Sequence, residues 1–132
     1  IRPWQHVLEP LAGYLILAQK LFQDGPQYAE GWNFGPEDRD CRSVAWVVDR
    51  LVALWGGGAR WIRDQSSQPH EATFLKLDCS KARNRLGWRP AWPLERSLEM
   101  VIAWHRALQD GRDMRRTSLD QITNVSAETP DD

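Results

Sequence analysis

The sequence predicts an α/β fold, with α+β as the alternative, because segments of helical periodicity alternate with short segments of strand-like alternation. Apolar residues recur at helical spacing in several long segments, short alternating runs follow them, and turns rich in Gly or Pro separate the two kinds. The 132 residues are enough for one domain with one modest core.

The first half of the chain predicts helix, strand and helix in turn. Residues 7–22 carry apolar side chains at helical spacing, and the Gly-Pro pair at 25–26 ends that helix. Residues 29–34 alternate loosely and are rich in aromatic side chains, which predicts a strand. A charged loop follows, and Ser43 is a good N-cap for a helix that ends at residue 55.

The middle of the chain predicts two short strands and a short helix. Alternation over residues 60–63 and again over 73–77 is typical of strands, with a polar loop between them. Either Asp78 or Ser80 can cap the short helix that follows. Gly87 stands where a left-handed residue would end it.

The last long helix is predicted to begin at Pro93 and to end before Gly111. Its inner, apolar face includes His105, which favours a core or boundary histidine over a metal ligand. Beyond residue 122 the chain is polar and acidic. The sequence therefore predicts one domain over residues 1–122 and a disordered tail over 123–132.

Composition excludes several classes of protein. Seventeen basic against 18 acidic residues give a net charge of -1, which argues against a sequence-independent nucleic-acid binder and against a polybasic membrane anchor. No apolar run reaches the roughly 18 residues of a membrane span. Cys41 and Cys79 form neither a CxxC motif nor a disulfide framework, and two thiols fit a reducing, cytoplasmic location.

No catalytic or metal-binding set is visible in the sequence. The histidines, His6, His70 and His105, are isolated and lack the spacing of metal ligands. There is no GxGxxG dinucleotide loop and no GxSxG nucleophile elbow. The sequence therefore predicts no catalytic residues, no metal and no cofactor bound by this chain alone.

Arg2 and Trp4 are the strongest candidate binding residues. The fork of N–H donors on Arg2 suits a diphosphate, and the ring of Trp4 suits the face of a base or sugar. The alternative is that Arg2 is an ordinary surface arginine.

Five blocks of sequence, taken together in their order and spacing, carry a family resemblance. They are Ile-Arg-Pro-Trp-Gln-His-Val at 1–7, Gly-Trp-Asn-Phe-Gly-Pro at 31–36, Pro-His-Glu-Ala running into Leu-Lys-Leu-Asp-Cys-Ser-Lys-Ala over 69–82, Leu-Gly-Trp-Arg-Pro at 86–90, and the segment 98–105. Over roughly residues 1–122 the chain resembles the C-terminal, substrate-binding part of an extended short-chain dehydrogenase/reductase of the NAD-dependent epimerase/dehydratase family. Within that family it is most similar to the CDP-glucose 4,6-dehydratases.

The resemblance implies a divided function. Such enzymes use NAD to convert a nucleotide sugar to a 4-keto-6-deoxy sugar, and their N-terminal Rossmann part holds NAD and a Tyr-x-x-x-Lys pair. Neither Tyr14 nor Tyr28 has a Lys four residues later. The resemblance therefore implies that this chain contributes nucleotide-sugar binding, needs the missing Rossmann part for catalysis, and binds a CDP-sugar weakly or not at all by itself.

The resemblance also implies individual contacts. Arg2 matches the arginine that faces the diphosphate in sibling enzymes, and Ser43 or Arg42 falls where siblings place a polar nucleotide contact. Siblings carry a second phosphate arginine at the position of Gln68, and His70 is the candidate to replace it. With Trp4, these residues form the predicted substrate-binding set.

Two alternatives remain open at this stage. The chain could be a non-enzymatic module that binds a protein through its tryptophan-rich surface, or it could have the same fold with specificity for a dTDP- or GDP-sugar. Leu15, Leu17 and Val47 are candidates for a surface that packs on the Rossmann part or supports a homo-oligomer.

Overall fold

A computed structural model describes residues 1–64, 66 and 73–128. This part is mostly helical, with five α-helices, two single 3₁₀ turns and one pair of two-residue strands. In chain order the elements are β1 (Arg2–Pro3), α1 (Leu8–Asp24), 3₁₀ turns at Pro26–Tyr28 and Asp38–Asp40, β2 (Cys41–Arg42), α2 (Val44–Trp55), α3 (Ser80–Leu86), α4 (Leu94–Gln109) and α5 (Met114–Glu128).

The predicted α/β class is therefore right only in part. The segments 29–34, 60–63 and 73–77 were expected to be strands, and none of them is a strand in the described structure. A strand needs a neighbour that accepts and donates along its whole length. The backbone of residues 73–77 is hydrogen-bonded to Ile1 at two points: Ile1 N donates to the Thr73 carbonyl at 2.7 Å, and Leu75 N donates to the Ile1 carbonyl at 3.1 Å.

The helix predictions are confirmed, because their ends depend on local chemistry. Ser43 caps α2 as predicted, with its Oγ accepting from Trp46 N at 3.2 Å. Neither predicted cap residue of α3 is the N-cap, which is Cys79 without a side-chain cap bond. Asp78, one residue earlier, accepts from Ser80 N at 2.8 Å and so still holds this end of the helix. Gly87 ends α3 in the left-handed region, at φ 69° and ψ 0°.

The C-terminal segment differs from its prediction. Residues 123–128, expected to belong to a disordered tail, are the last turns of α5, while 129–132 lie outside the described residues. The helix is stable here because two of its side chains are buried against α4. Val125 is one, and Gln121 is the other, with its Nε2 donating to the Met100 carbonyl at 2.8 Å.

The core has two clusters of buried side chains. One gathers Phe34, Cys79, Ala82, Leu86 and Trp88 between α1 and α3. The other gathers Val47, Leu94 and Leu98 between α2 and α4, with Trp4 and Trp46 packed against it. His105, predicted for the inner face of α4, is exposed instead, and Val47 is buried rather than part of a surface patch.

Both cysteines are buried free thiols. Burial raises the pKa of the Cys41 thiol and the pKa of the Cys79 thiol. Neither is therefore activated as a nucleophile, which agrees with the structural role expected from the sequence. Among the helices of the described ranges, none is both long and apolar enough to cross a bilayer.

Candidate functional site

Arg2 lies in the small antiparallel sheet, directly opposite Arg42. The register pairs Arg2 with Arg42 and Pro3 with Cys41. Directly opposed side chains of an antiparallel pair leave the same face, so two guanidinium groups share one side of the sheet. Like charges in this position repel each other. Arg2 Nη1 also donates to the Ile1 carbonyl at 2.9 Å.

Trp4 anchors the sheet to the core. Its Nε1 donates to the Arg42 carbonyl at 3.1 Å, and its ring packs against the cluster of Val47, Leu94 and Leu98. The half-buried ring therefore fixes the position of Arg42. Contact of this ring with a base or sugar, expected from the sequence, stays a prediction.

Ser43 and Arg42 stand together at the N-terminus of α2. The Ser43 hydroxyl is occupied by the cap to Trp46 N, and the Arg42 guanidinium lies over the Trp46 ring, 5.2 Å from its centroid. The first N–H groups of a helix lie outside its own hydrogen-bond ladder and carry a partial positive charge. This helix end thus adds to the positive potential that Arg2 and Arg42 create.

The structure brings three of the five predicted contacts together. Arg2, Trp4 and Ser43 all adjoin the two-stranded sheet. Gln68 and His70 lie outside the described residues. Thr73, where the description resumes, is hydrogen-bonded to Ile1, immediately beside Arg2 in sequence.

Sequence reasoning missed Glu9, the most buried carboxylate of the described chain. It is 1% exposed, and its two oxygens accept from the backbone N–H groups of Ala91 and Trp92, each at 2.9 Å. Its carbonyl also accepts from Trp88 Nε1 at 3.3 Å. Burial raises the pKa of this carboxyl, while the two backbone hydrogen bonds act in the opposite direction. Glu9 therefore ties α1 to the segment between α3 and α4.

The triple-glycine run after α2 does not have the geometry of a dinucleotide-binding loop. The run Gly56-Gly57-Gly58, which has positive φ at each residue, follows the C-terminal end of α2. A dinucleotide loop instead leads into a helix N-terminus, where N–H groups meet the pyrophosphate. The carbonyl groups at the end of α2 would repel that pyrophosphate. Nor do three or more potential metal ligands cluster anywhere in residues 1–64, 66 and 73–128.

Comparison with known proteins shows that the chain is similar in sequence to an enzyme. No protein-family model matches the chain. It is 50% identical over 129 residues to CDP-glucose 4,6-dehydratase of Salmonella typhimurium, and the match covers 98% of the chain but 36% of the relative. The chain thus spans about a third of the length of this relative. The predicted resemblance is confirmed: the chain is homologous to part of CDP-glucose 4,6-dehydratase.

Proposed function

We propose that the chain is the C-terminal, substrate-binding part of a CDP-glucose 4,6-dehydratase, and that it holds the diphosphate of a CDP-sugar. The observation that carries this proposal is the pairing of Arg2 with Arg42 beside the N-terminus of α2, in a chain half identical to that enzyme. The homology supports the enzyme family, and the two opposed arginines support the location of the phosphates at this sheet.

The chemistry of this surface matches a diphosphate better than a monovalent anion. Arg2 uses one guanidinium N–H on the Ile1 carbonyl. A guanidinium carries further N–H groups, so two such groups on one face suit the several oxygens of a diphosphate. Trp46 stacks under Arg42 and restricts its side chain, so less conformational entropy is lost when the phosphate binds. Ser43 contributes through the helix end that it caps, because its hydroxyl is already an acceptor for Trp46 N.

Dehydration requires chemistry that these residues do not supply. We propose that NAD and the acid–base groups belong to a Rossmann part like the remainder of the relative, and that this chain only positions the sugar nucleotide. An exposed apolar stripe on α1 supports a protein neighbour of this kind. It includes Leu15, 73% exposed, and Phe22, 91% exposed, while Leu17, expected in the same patch, is half-buried.

Titration of the chain with CDP, CDP-glucose and cytidine, followed by ¹H–¹⁵N NMR, tests the phosphate site. CDP and CDP-glucose should shift the resonances of Arg2, Trp4 and Ser43 with weak affinity, and cytidine should not, because it lacks phosphate. Arg2→Ala and Arg42→Ala should each weaken CDP binding by about 10- to 100-fold, the value of a charge-assisted hydrogen bond.

Arg115→Ala is the matched control, since it removes the same charge from the exposed surface of α5. Equal weakening by the control would show a general charge effect and would contradict the proposed site. The same titration on a polypeptide that joins this chain to the remaining part of the Salmonella enzyme should give tighter CDP-glucose binding and retained NAD. Failure of that longer protein to bind CDP-glucose would contradict the proposed function as a whole.

A protein-binding module is the second candidate, and the α1 stripe is the observation that favours it. Size-exclusion chromatography and crosslinking distinguish the two, because a Rossmann part supplied in trans should associate through α1. Leu15→Glu together with Phe22→Glu should abolish that association by placing charges in an apolar contact. A stable partner without a Rossmann fold would favour the protein-binding alternative.

A further inference from the structure

A cleft of about 250 Å³ lies between the start of α1, the middle of α4 and the middle of α5. Its walls include His6, Trp104, His105 and Ile122. These side chains are not among the proposed phosphate contacts. The lining is mostly apolar, so any ligand must present an apolar surface of its own.

Two polar residues of the wall are already satisfied within the protein. Gln121 Nε2 donates to the Met100 carbonyl at 2.8 Å. Ser118 Oγ donates to the Met114 carbonyl at 2.8 Å and accepts from Trp104 Nε1 at 3.1 Å. The indole of Trp104 is thereby held with its N–H turned to Ser118, which leaves its ring as a fixed apolar wall.

His6 and His105 are the other polar side chains of the wall; His105 is exposed to solvent, and His6 is buried. It is 7% exposed, packs edge-to-face on Trp92 at 5.2 Å between ring centroids, and its Nδ1 accepts from Leu8 N at 3.3 Å. Burial lowers the pKa of this imidazole, so the ring is neutral at pH 7. With Nδ1 as acceptor, the proton of the neutral ring resides on Nε2. The other ring nitrogen, Nε2, belongs to a side chain that lines the cleft.

We propose that this cleft binds a small aromatic molecule that carries one carbonyl oxygen, with the ring against Trp104 and the oxygen accepting from His6 Nε2–H. An apolar cavity of about 150 Å³ accommodates a benzene ring. The larger volume here fits an aromatic ring with a short carbonyl-bearing substituent. His6 lines the cleft, and its Nε2 is not among the buried unpaired polar atoms of the described residues, so water can reach it there. A ketone oxygen replaces the hydrogen bond of the water that it displaces, and a hydrocarbon of the same shape does not.

Acetophenone and its hydrocarbon isostere α-methylstyrene are the matched probes for this proposal. Both are titrated into the full chain, and binding is followed through the Trp104 Nε1–H, Ile122 methyl and His6 ring resonances. So small a ligand should bind with a Kd on the order of millimolar. Acetophenone should bind roughly three- to tenfold more tightly than α-methylstyrene, the contribution of one hydrogen bond.

Variants of His6 separate its two nitrogens. In His6→Asn the amide oxygen can replace Nδ1 as the acceptor for Leu8 N, but no donor reaches the position of Nε2. This variant should bind the two probes equally. In His6→Gln the longer side chain restores a donor at that distance, and the preference for the ketone should return. Because the readout is a ratio of two affinities, a general loss of stability does not mimic the expected result.

Filling the cleft provides a test that leaves His6 intact. Ile122→Trp should weaken both probes by at least about tenfold by occupying their volume. Leu119→Trp is its control, since Leu119 is equally exposed on the same helix and does not line the cleft. Any one of three results would overturn the proposal. They are equal binding of ketone and hydrocarbon to the unaltered chain, no resonance shifts with either probe, and equal weakening of binding by both tryptophan variants.

Discussion

The charged side chains at Glu9 and at the Arg2–Arg42 pair lie in opposite kinds of environment. The carboxylate of Glu9 is buried, and the chain itself supplies donors to both of its oxygens from Ala91 and Trp92. The sheet instead places two cations opposite each other near the surface, where Arg42 stacks on Trp46. The first arrangement has its hydrogen bonds supplied by the backbone, and the second is the site at which we propose that a diphosphate binds.

This difference separates structural from binding chemistry within one small protein. A buried charge that is satisfied by backbone groups fixes the relative position of two distant segments, and its removal should affect folding. In a pair of like charges on a sheet face, repulsion offsets much of what each side chain contributes to folding, so its removal should mainly affect binding. Four measurements test that contrast, beginning with the one for which the largest effect is expected.

Glu9→Ala should lower the free energy of unfolding by about 2–5 kcal/mol, because it leaves two buried N–H groups without acceptors. Glu9→Gln should cost less, about 1–3 kcal/mol, since the amide oxygen can still accept from one of them. Urea unfolding followed by tryptophan fluorescence measures both. Asp120→Ala, at an exposed ion pair with Arg116, should change stability by less than about 0.5 kcal/mol. Comparable losses at both positions would show that Glu9 has no special structural role.

Gly13→Ala should also destabilise the fold, although alanine favours helices. A Cβ at this position of α1 would lie 2.3 Å from Phe34 Cδ1, and the Phe34 ring is held edge-on between Tyr14 and Trp88. Overpacking of about 1–3 kcal/mol exceeds the gain in helix propensity of about 1 kcal/mol. Gly31→Ala has nothing within 4 Å of the added Cβ and should be neutral within about 0.5 kcal/mol. Thermal unfolding of the pair provides the comparison.

Arg42→Ala should leave the free energy of unfolding nearly unchanged, within about 1 kcal/mol. Loss of the contact with Trp46 destabilises the fold slightly, and relief of the repulsion from Arg2 offsets that loss. The offset should be larger at low ionic strength, where screening is weak. Urea unfolding at two salt concentrations measures this dependence, and a strong loss of stability at both would mean that Arg42 is primarily structural.

The two glutamates Glu9 and Glu30 should titrate on opposite sides of pH 4.5. Burial raises the pKa of Glu9, while hydrogen bonds from Lys81 and Arg85 lower the pKa of Glu30. Glu9 therefore contributes stability that is present below pH 4.5 and is lost as the pH rises through its folded pKa. The contribution of Glu30 is present above pH 4.5 and is lost as the pH falls through its folded pKa. Carboxyl ¹³C NMR titration resolves both, and identical midpoints would contradict the contrast.

The sequence predicts the helices well because their signals are local. The spacing of apolar residues over 7–22 predicts α1, and Ser43 and Gly87 mark helix ends that the structure confirms. The strands were not predictable in the same way. Alternation over 29–34 and 73–77 identifies apolar faces, but a ladder forms only where another strand lies alongside, and that is not a property of the segment itself.

The candidate site was predictable in part for the same reason. Arg2 and Ser43 carry local signals, a guanidinium fork and a helix cap, and the structure places both at one sheet. Glu9 could not be found, because an acidic residue in the first turn of a helix usually faces solvent and interacts with the dipole. Its burial depends on Ala91 and Trp92, more than 80 residues later. Ala91 and Trp92 contribute backbone N–H groups to this contact, and the residue type does not reveal which backbone groups will bond a distant carboxylate.

The long reach of the Glu9 hydrogen bonds has a consequence for how the chain acquires its fold. Closing a loop of 82 residues costs more conformational entropy than forming any of the helices, so this contact should form late. During synthesis, α1 emerges from the ribosome well before its partners at residues 91 and 92. Until these residues are synthesised, the Glu9 carboxylate stays hydrated and the apolar side chains around it stay exposed. The nascent chain is therefore accessible to chaperones during this interval, and translation speed sets how long the interval lasts.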